Sequence, residues 1–207
     1  MGGIVTRLFS VIFASFVEPV TRSFRLKVLH FTAPKGIAFL ESVIWFKVVE
    51  RLIAVSETRS DKTECRVGDA LSSMSEIIMG DLDAAGISLQ IAGDLDLCAM
   101  IGRAELSQAL VQLVQNAMEA SHDHGKIKID IQLRDDTVVI MVEDDGHGIE
   151  PEAQPKVFDA FFTTRLGRNA SGLGLTITHR IVHQVDGKVS LVSPKSPTRF
   201  EVVLKSA

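Results

Sequence analysis

The chain has 207 residues, 46% of them hydrophobic, with 22 Lys/Arg against 26 Asp/Glu for a net charge of −4. That length suits one medium domain plus an extra element, and the ordinary composition excludes a low-complexity or collagen-like chain. Only Cys65 and Cys98 are present, with no C-x-x-C and no His/Cys cluster at ligand spacing, so neither a disulfide framework nor a zinc site is suggested and a reducing cytoplasm is the expected compartment. Charge is unevenly placed. Residues 1–60 carry eight basic side chains against four acidic ones, leaving 14 against 22 in the remainder. An acidic remainder argues against a nucleic-acid partner, whereas the basic first third suits a membrane surface or an acidic partner.

Leu8 to Val17 is an uncharged run behind Arg7, too short to span a bilayer and without a convincing cleavage site, so it is read as a buried or interfacial helix. Pro34-Lys35-Gly36 breaks the pattern. Ile37 to Val55 is then a second helical candidate, with Leu40, Ile44, Val48, Leu52 and Val55 in one stripe. Two such segments joined by a turn predict a helical hairpin in residues 1–60 that pairs with a second copy as a homodimer, with docking on a membrane surface as the alternative. Ser56 to Glu64 is polar and charged, and is the expected linker, with a second domain over residues 61–207.

In that second part, Val67 to Ala84 reads as a helix with Leu71, Met74, Ile77, Ile78 and Leu82 inward and Gly86 just past its end. Ile87 to Ile91 alternates as a strand. Arg103 to Ser121 is the strongest helix, with Leu106, Leu110, Leu113, Val114 and Met118 as its buried face. Lys126 to Leu133 and Thr137 to Val142 are strands joined by a hairpin at Arg134-Asp135-Asp136. Glu152 to Ala160 is expected to be a short helix, Leu166 to Ser171 a loop, and Leu173 to Val185 a helix. Asp186-Gly187 turns the chain into strands at Lys188 to Ser193 and Arg199 to Leu204. This order predicts an α+β sandwich with helices on one face of a mixed sheet.

Four stretches could carry chemistry. Val142 to Ile149, with Asp144, Gly146 and Gly148, places a carboxylate and two glycines where a strand ends; this is either a pocket floor or a plain strand-ending turn. Asn116 interrupts a tight apolar helix pattern, and its amide is either a local cap or a hard oxygen ligand for magnesium. Ser171-Gly172-Leu173-Gly174-Leu175 opens a helix, so its N–H groups and the positive end of the helix dipole make a phosphate cradle, unless the glycines serve only close packing. Phe158, Phe161 and Phe162 read as core aromatics, and Arg165 and Arg168 behind them are either phosphate contacts or surface cations.

Together, in this order and spacing, the four stretches resemble the ATP-binding catalytic domain of sensor histidine kinases, within the Bergerat-fold superfamily that also includes DNA gyrase, a mismatch-repair ATPase and a heat-shock chaperone. The resemblance covers about Val67 to Lys205, two thirds of the chain. It implies a Bergerat-type α/β sandwich preceded by the helical hairpin. It also implies ATP and Mg2+ as ligands, and a response regulator as partner. On this resemblance Gln112 to Ala120 match an asparagine box, with Asn116 at the magnesium position; Asp144 meets the adenine amino group; Gly146 and Gly148 shape the pocket; Val157 to Arg165 match a phenylalanine box; and Gly172, Leu173 and Gly174 approach the phosphates, with Arg165 as a further contact.

Two departures qualify it. Water-activating relatives place a glutamate four residues before the metal asparagine, and this chain has Gln112, a poor base, which favours a kinase acting on a histidine. The family's phosphoacceptor is a His followed by an acid, with Pro five residues on; the nearest candidate is His30 in His30-Phe31-Thr32-Ala33-Pro34, which lacks the acid and has Pro one residue early. The implied activity is therefore transfer of the γ-phosphoryl to a histidine of this chain or of a partner. The alternatives are a non-catalytic ATP-binding interaction module and a Bergerat-type ATPase.

Overall fold

A computed structural model describes residues 63–122, 124–164 and 171–207. The hairpin and dimer interface expected in residues 1–60, His30 within it, and Arg165 and Arg168 lie outside the described residues.

Helix α1 (Val67–Ala85) buries Val67, Leu71, Met74, Ile78 and Leu82, a stripe at steps of three and four. Ile77 was expected in that stripe and is instead 61% exposed. One residue before Ile78 is a rotation of about 100°, which carries its side chain off the buried face. Gly86 caps the helix in the left-handed conformation (φ 66°), its N–H donating to the Asp83 carbonyl at 3.1 Å while the N–H of Ile87 donates to Leu82 at 3.0 Å.

Helix α2 (Arg103–Ala120) is the centre of the helical layer. It buries Leu106, Ala109, Leu110, Leu113, Val114 and Ala117, and also Ser107, Val111 and Gln112, because α1 flanks it on one side, helix α3 (Gly174–Gln184) on the other, and the sheet lies beneath. Met118, expected inside, is half-buried.

The sheet contains β2 (Ser88–Gly93), β4 (Lys126–Arg134), β5 (Thr137–Asp144), β6 (Lys188–Ser193) and β7 (Thr198–Lys205), in the order β2-β4-β5-β7-β6. The β2–β4 pair is parallel, because α2 is the crossover between them, and the other pairs are antiparallel. Ile127, Ile129 and Ile131, then Val138, Ile140 and Val142, then Phe200, Val202 and Leu204 point into one core under the helices. The opposite face is mostly polar, with Arg199 donating to Glu143 at 2.6 Å between neighbouring strands and Arg134 of β4 reaching over β5 to Glu201 of β7 at 3.1 Å. This is the expected mixed sheet with helices on one face, the Bergerat-type sandwich.

Two elements depart from expectation. The helix expected over residues 152–160 is only a 3-10 turn, Gln154–Lys156. Pro155 supplies no N–H and biases Gln154 away from helical backbone, and the chain reverses a few residues later at Phe161. A two-stranded ribbon of β1 (Cys65–Arg66) and β3 (Cys98–Ala99) was not foreseen, since two-residue strands carry no periodicity. It ties the start of α1 to the end of β7, as Ala99 also bridges Ser206.

Cys65 lies buried in this ribbon, and burial first, then the nearby Cys98, pushes its thiol up to about 11. The unfolded thiol ionises near its ordinary value while the folded one stays protonated, so stability falls as pH rises from about 9 to 11. Urea midpoints measured across that window should drop more for the native chain than for Cys65→Ala.

Candidate nucleotide site

The site sits where β5 ends, against α2 and the start of α3. Asp144 is the last residue of β5, 2% exposed, and paired across the sheet with Thr198, the first residue of β7. The alternation of β5 would place another apolar side chain here; instead the strand delivers a carboxylate to the core side of the sheet. One oxygen accepts the N–H of Gly146 at 3.0 Å. The hydroxyl of Thr198 is fully buried beside it yet has no partner in strict hydrogen-bond geometry among the described residues. Its dipole still draws the Asp144 carboxyl down, as does the Gly146 N–H. Burial outweighs both and raises the pKa above the usual carboxylate range, with Asp145 adding to the rise and His147 opposing it.

A buried carboxylate with spare lone pairs next to a hydroxyl without a well-formed partner is a costly arrangement. It fits a ligand that brings a donor to the carboxylate and a polar atom to the hydroxyl, as an adenine amino group and ring nitrogen would.

The loop that follows is pinned at both ends. Asp145 accepts the N–H of Lys126 at 2.9 Å, and the N–H of Ile149 donates to Pro194 at 2.7 Å. Gly148 has φ 80° and faces the Pro194 carbonyl, 2.9 Å from where a Cβ would stand, so both conformation and space call for glycine. Gly146 is required for space alone: a side chain there would collide with the Ala120 carbonyl at the end of α2. His147 between them is exposed.

On the other side, Gly172 has φ 62° and its carbonyl accepts the N–H of Phe161 at 2.9 Å. A Cβ on Gly174, the first residue of α3, would stand 3.0 Å from the Gln112 side-chain oxygen. Residues 112, 116 and 120 are successive i+4 positions on one face of α2, with Gly174 touching the first and Gly146 the last. Asn116 is half-buried and lies on that face between the two glycine loops. The structure thus brings Asn116, Asp144, Gly146, Gly148, Gly172 and Gly174 around one region.

Leu173 contributes differently. Its side chain is 3% exposed, within the core, while its N–H faces the Ser171 hydroxyl at 3.4 Å. The expectation of three core phenylalanines holds for Phe158, which meets Phe200 edge-on at 6.2 Å; Phe162 is half-buried and Phe161 is 61% exposed. The left-handed backbone of Phe161 (φ 66°) swings its ring out. Thr198 is the site residue that the sequence reading missed. Its signal is visible only in the pairing register, which sets it opposite Asp144.

Among the described residues no group of three or more His, Cys, Asp or Glu could hold a metal ion, so a cation here would rest on Asn116 and on the ligand's own oxygens. That is the pattern magnesium favours, keeping waters and substrate phosphates in its shell. No described helix is long and apolar enough to cross a membrane.

Comparison with known proteins agrees with this geometry. The family model described as histidine kinase-, DNA gyrase B-, and HSP90-like ATPase matches residues 102–207, just over half of the chain. The heme sensor protein HssS of Staphylococcus haemolyticus is 33% identical over 118 residues, covering 56% of this chain and 26% of that protein. The signal transduction histidine-protein kinase AtoS of Escherichia coli is 29% identical over 165 residues, covering 76% of this chain and 26% of that protein. The chain thus spans about a quarter of the length of these curated relatives. Among solved structures, the catalytic domain of histidine kinase ThkA aligns with a TM-score of 0.64 and 27% identity, covering 70% of this chain and 96% of that one. ThkA in complex with response regulator protein TrrA aligns with a TM-score of 0.66 at 24% identity, over 100% of this chain and 62% of that one, a likeness of fold. The chain belongs to the family of histidine kinase-, DNA gyrase B-, and HSP90-like ATPases, and its homologues within that family are sensor histidine kinases.

Proposed function

We propose that this chain is the ATP-binding catalytic portion of a two-component histidine kinase, binding Mg-ATP and passing its γ-phosphoryl to a histidine of its own or of a partner. The observation that carries this reading is the buried Asp144 carboxylate beside the Thr198 hydroxyl, which has no well-formed partner among the described residues, faced by two glycine loops. Asp144 accepts the adenine amino group and Thr198 completes its edge. Gly146 and Gly148 let the base approach. Gly172 and Gly174 bring backbone N–H groups and the α3 dipole toward the phosphates, helped by Arg165. Asn116 would hold the Mg2+, which supplies charge neutralisation to the phosphates. Catalysis on this reading is positioning and electrostatics. Gln112, buried against Gly174, is a neutral amide unable to act as a general base toward water, which favours a kinase over an ATPase.

Residues 1–60 form the dimerising region on this reading and His30 is the candidate acceptor within it. On this reading the phosphoryl group continues to a response regulator; the similar structure of ThkA is of a complex with response regulator protein TrrA. The working compartment is the cytoplasm, with the basic amino-terminal part against a membrane surface.

Incubation with γ-labelled ATP, alone and with a histidine-bearing helical domain and a response regulator, should yield an acid-labile, base-stable phosphoprotein. Tight nucleotide binding without any label would leave a nucleotide-dependent interaction module in place of a kinase. Steady release of inorganic phosphate without a phosphoprotein would mean an ATPase.

A further inference from the structure

Helix α3 carries a second feature, away from its phosphate-facing end. His179 and His183 are four residues apart, both exposed, and their ring centres are 5.9 Å apart with planes inclined by 31°. Two imidazoles at i and i+4 share one helical face, the spacing by which helices offer a pair of nitrogens to one metal ion. With metal–nitrogen bonds of about 2.0–2.1 Å, two imidazoles on one tetrahedral ion place their ring centres roughly 5 Å apart, so a small rotation of two exposed side chains closes the gap. No hydrogen bond or ion pair among the described residues occupies either ring. His179 is braced on its far side by Phe158, with ring centres 5.5 Å apart, which limits the rotamers it can adopt.

We propose that His179 and His183 form a bidentate site for a divalent transition-metal ion that prefers nitrogen ligands, with water filling the remaining positions. The site is separate from the nucleotide pocket. It lies five and nine residues past Gly174, about 7 and 13 Å further along the helix axis. Magnesium and calcium, which require oxygen ligands, are not bound there, and the order of affinity follows Cu2+ above Ni2+ and Zn2+. A metal bridging two turns also clips α3, so the ion stabilises the folded protein by binding it and not the unfolded chain.

Titration of the nucleotide-free full chain with Cu2+, Ni2+ and Zn2+ by calorimetry, each alone, tests this directly. One ion per chain is expected, with affinity cut about tenfold or more by His179→Ala or by His183→Gln, because the second imidazole of a chelating pair binds at high effective concentration. The thermal midpoint should rise with each ion and should not rise in the double variant, whose midpoint without metal stays near that of the native chain. Equal affinity in native and double variant, or tight binding of Mg2+ at the same positions, would overturn the proposal. His183→Gln remains a helix former on an exposed position, so loss of binding in that variant is not explained by loss of fold.

Discussion

Asp144→Asn is expected to weaken ATP binding by at least about 100-fold while leaving the protein as stable as the native chain, or more so, at pH 7. The carboxylate offers acceptors only, so a ligand amino group meets a charged partner; the asparagine amide turns a donor toward that donor and leaves both unpaired. A loss of about 2.7 kcal/mol corresponds to 100-fold. Stability moves the other way for a reason of sign. The folded pKa of Asp144 is raised by burial, so folding favours the protonated form. The stability of that form is present below the unfolded value near 4 and declines as pH rises through the folded value, leaving a charged Asp144 as a net cost at neutral pH. Asparagine removes this cost, still accepts the Gly146 N–H, and can donate to the Thr198 hydroxyl, which lacks a well-formed partner among the described residues. Calorimetric titration with Mg-ATP and thermal unfolding of the two proteins, side by side, check both halves.

Gly172→Ala should act at the other end of the pocket. Its left-handed backbone (φ 62°) costs an alanine about 1 kcal/mol, and a Cβ there would stand 2.5 Å from the Phe161 carbonyl carbon and 2.6 Å from the Phe162 oxygen, both backbone atoms that cannot swing aside. The loop must shift, and with it the N–H groups at the start of α3. Affinity for ATP should therefore fall tenfold or more, while affinity for adenosine, which lacks phosphates, changes by less than about threefold. Equal losses for both ligands would mean that Gly172 shapes the whole pocket and not its phosphate end. The Asp144 variant should show the converse, losing adenosine along with ATP.

Much of this was legible in the chain itself because the relevant signals are local. The periodicity of Leu106, Leu110, Leu113 and Val114 marks α2, the alternation through Ile127, Ile129 and Ile131 marks β4, and Asp-x-Gly-x-Gly at a strand end marks the glycine loop that follows β5. What could not be read is what depends on pairing across long separations. Thr198 is 54 residues from Asp144 and joins it only through the β5–β7 register. The β1–β3 ribbon depends on contact between Cys65 and Ala99. Ile77 and Phe161 are apolar residues that the fold leaves outside, one by helical rotation and one by a backbone reversal, and composition alone assigns both to the core. The glycines divide in the same way. Gly148 and Gly172 serve conformation, as a sequence pattern suggests, whereas Gly146 is needed because the end of α2 passes close by.

Where the nucleotide binds is the most direct test of the proposed function. Amide hydrogen exchange with and without a saturating non-hydrolysable Mg-ATP analogue resolves this segment by segment. Slowed exchange is predicted at residues 144–149, at the start of α3 around Gly172 to Leu175, and at the start of β7 around Thr198, with little change in α1 and on the polar face of the sheet. Tight binding with protection confined to other segments, or no binding at millimolar nucleotide, would contradict it.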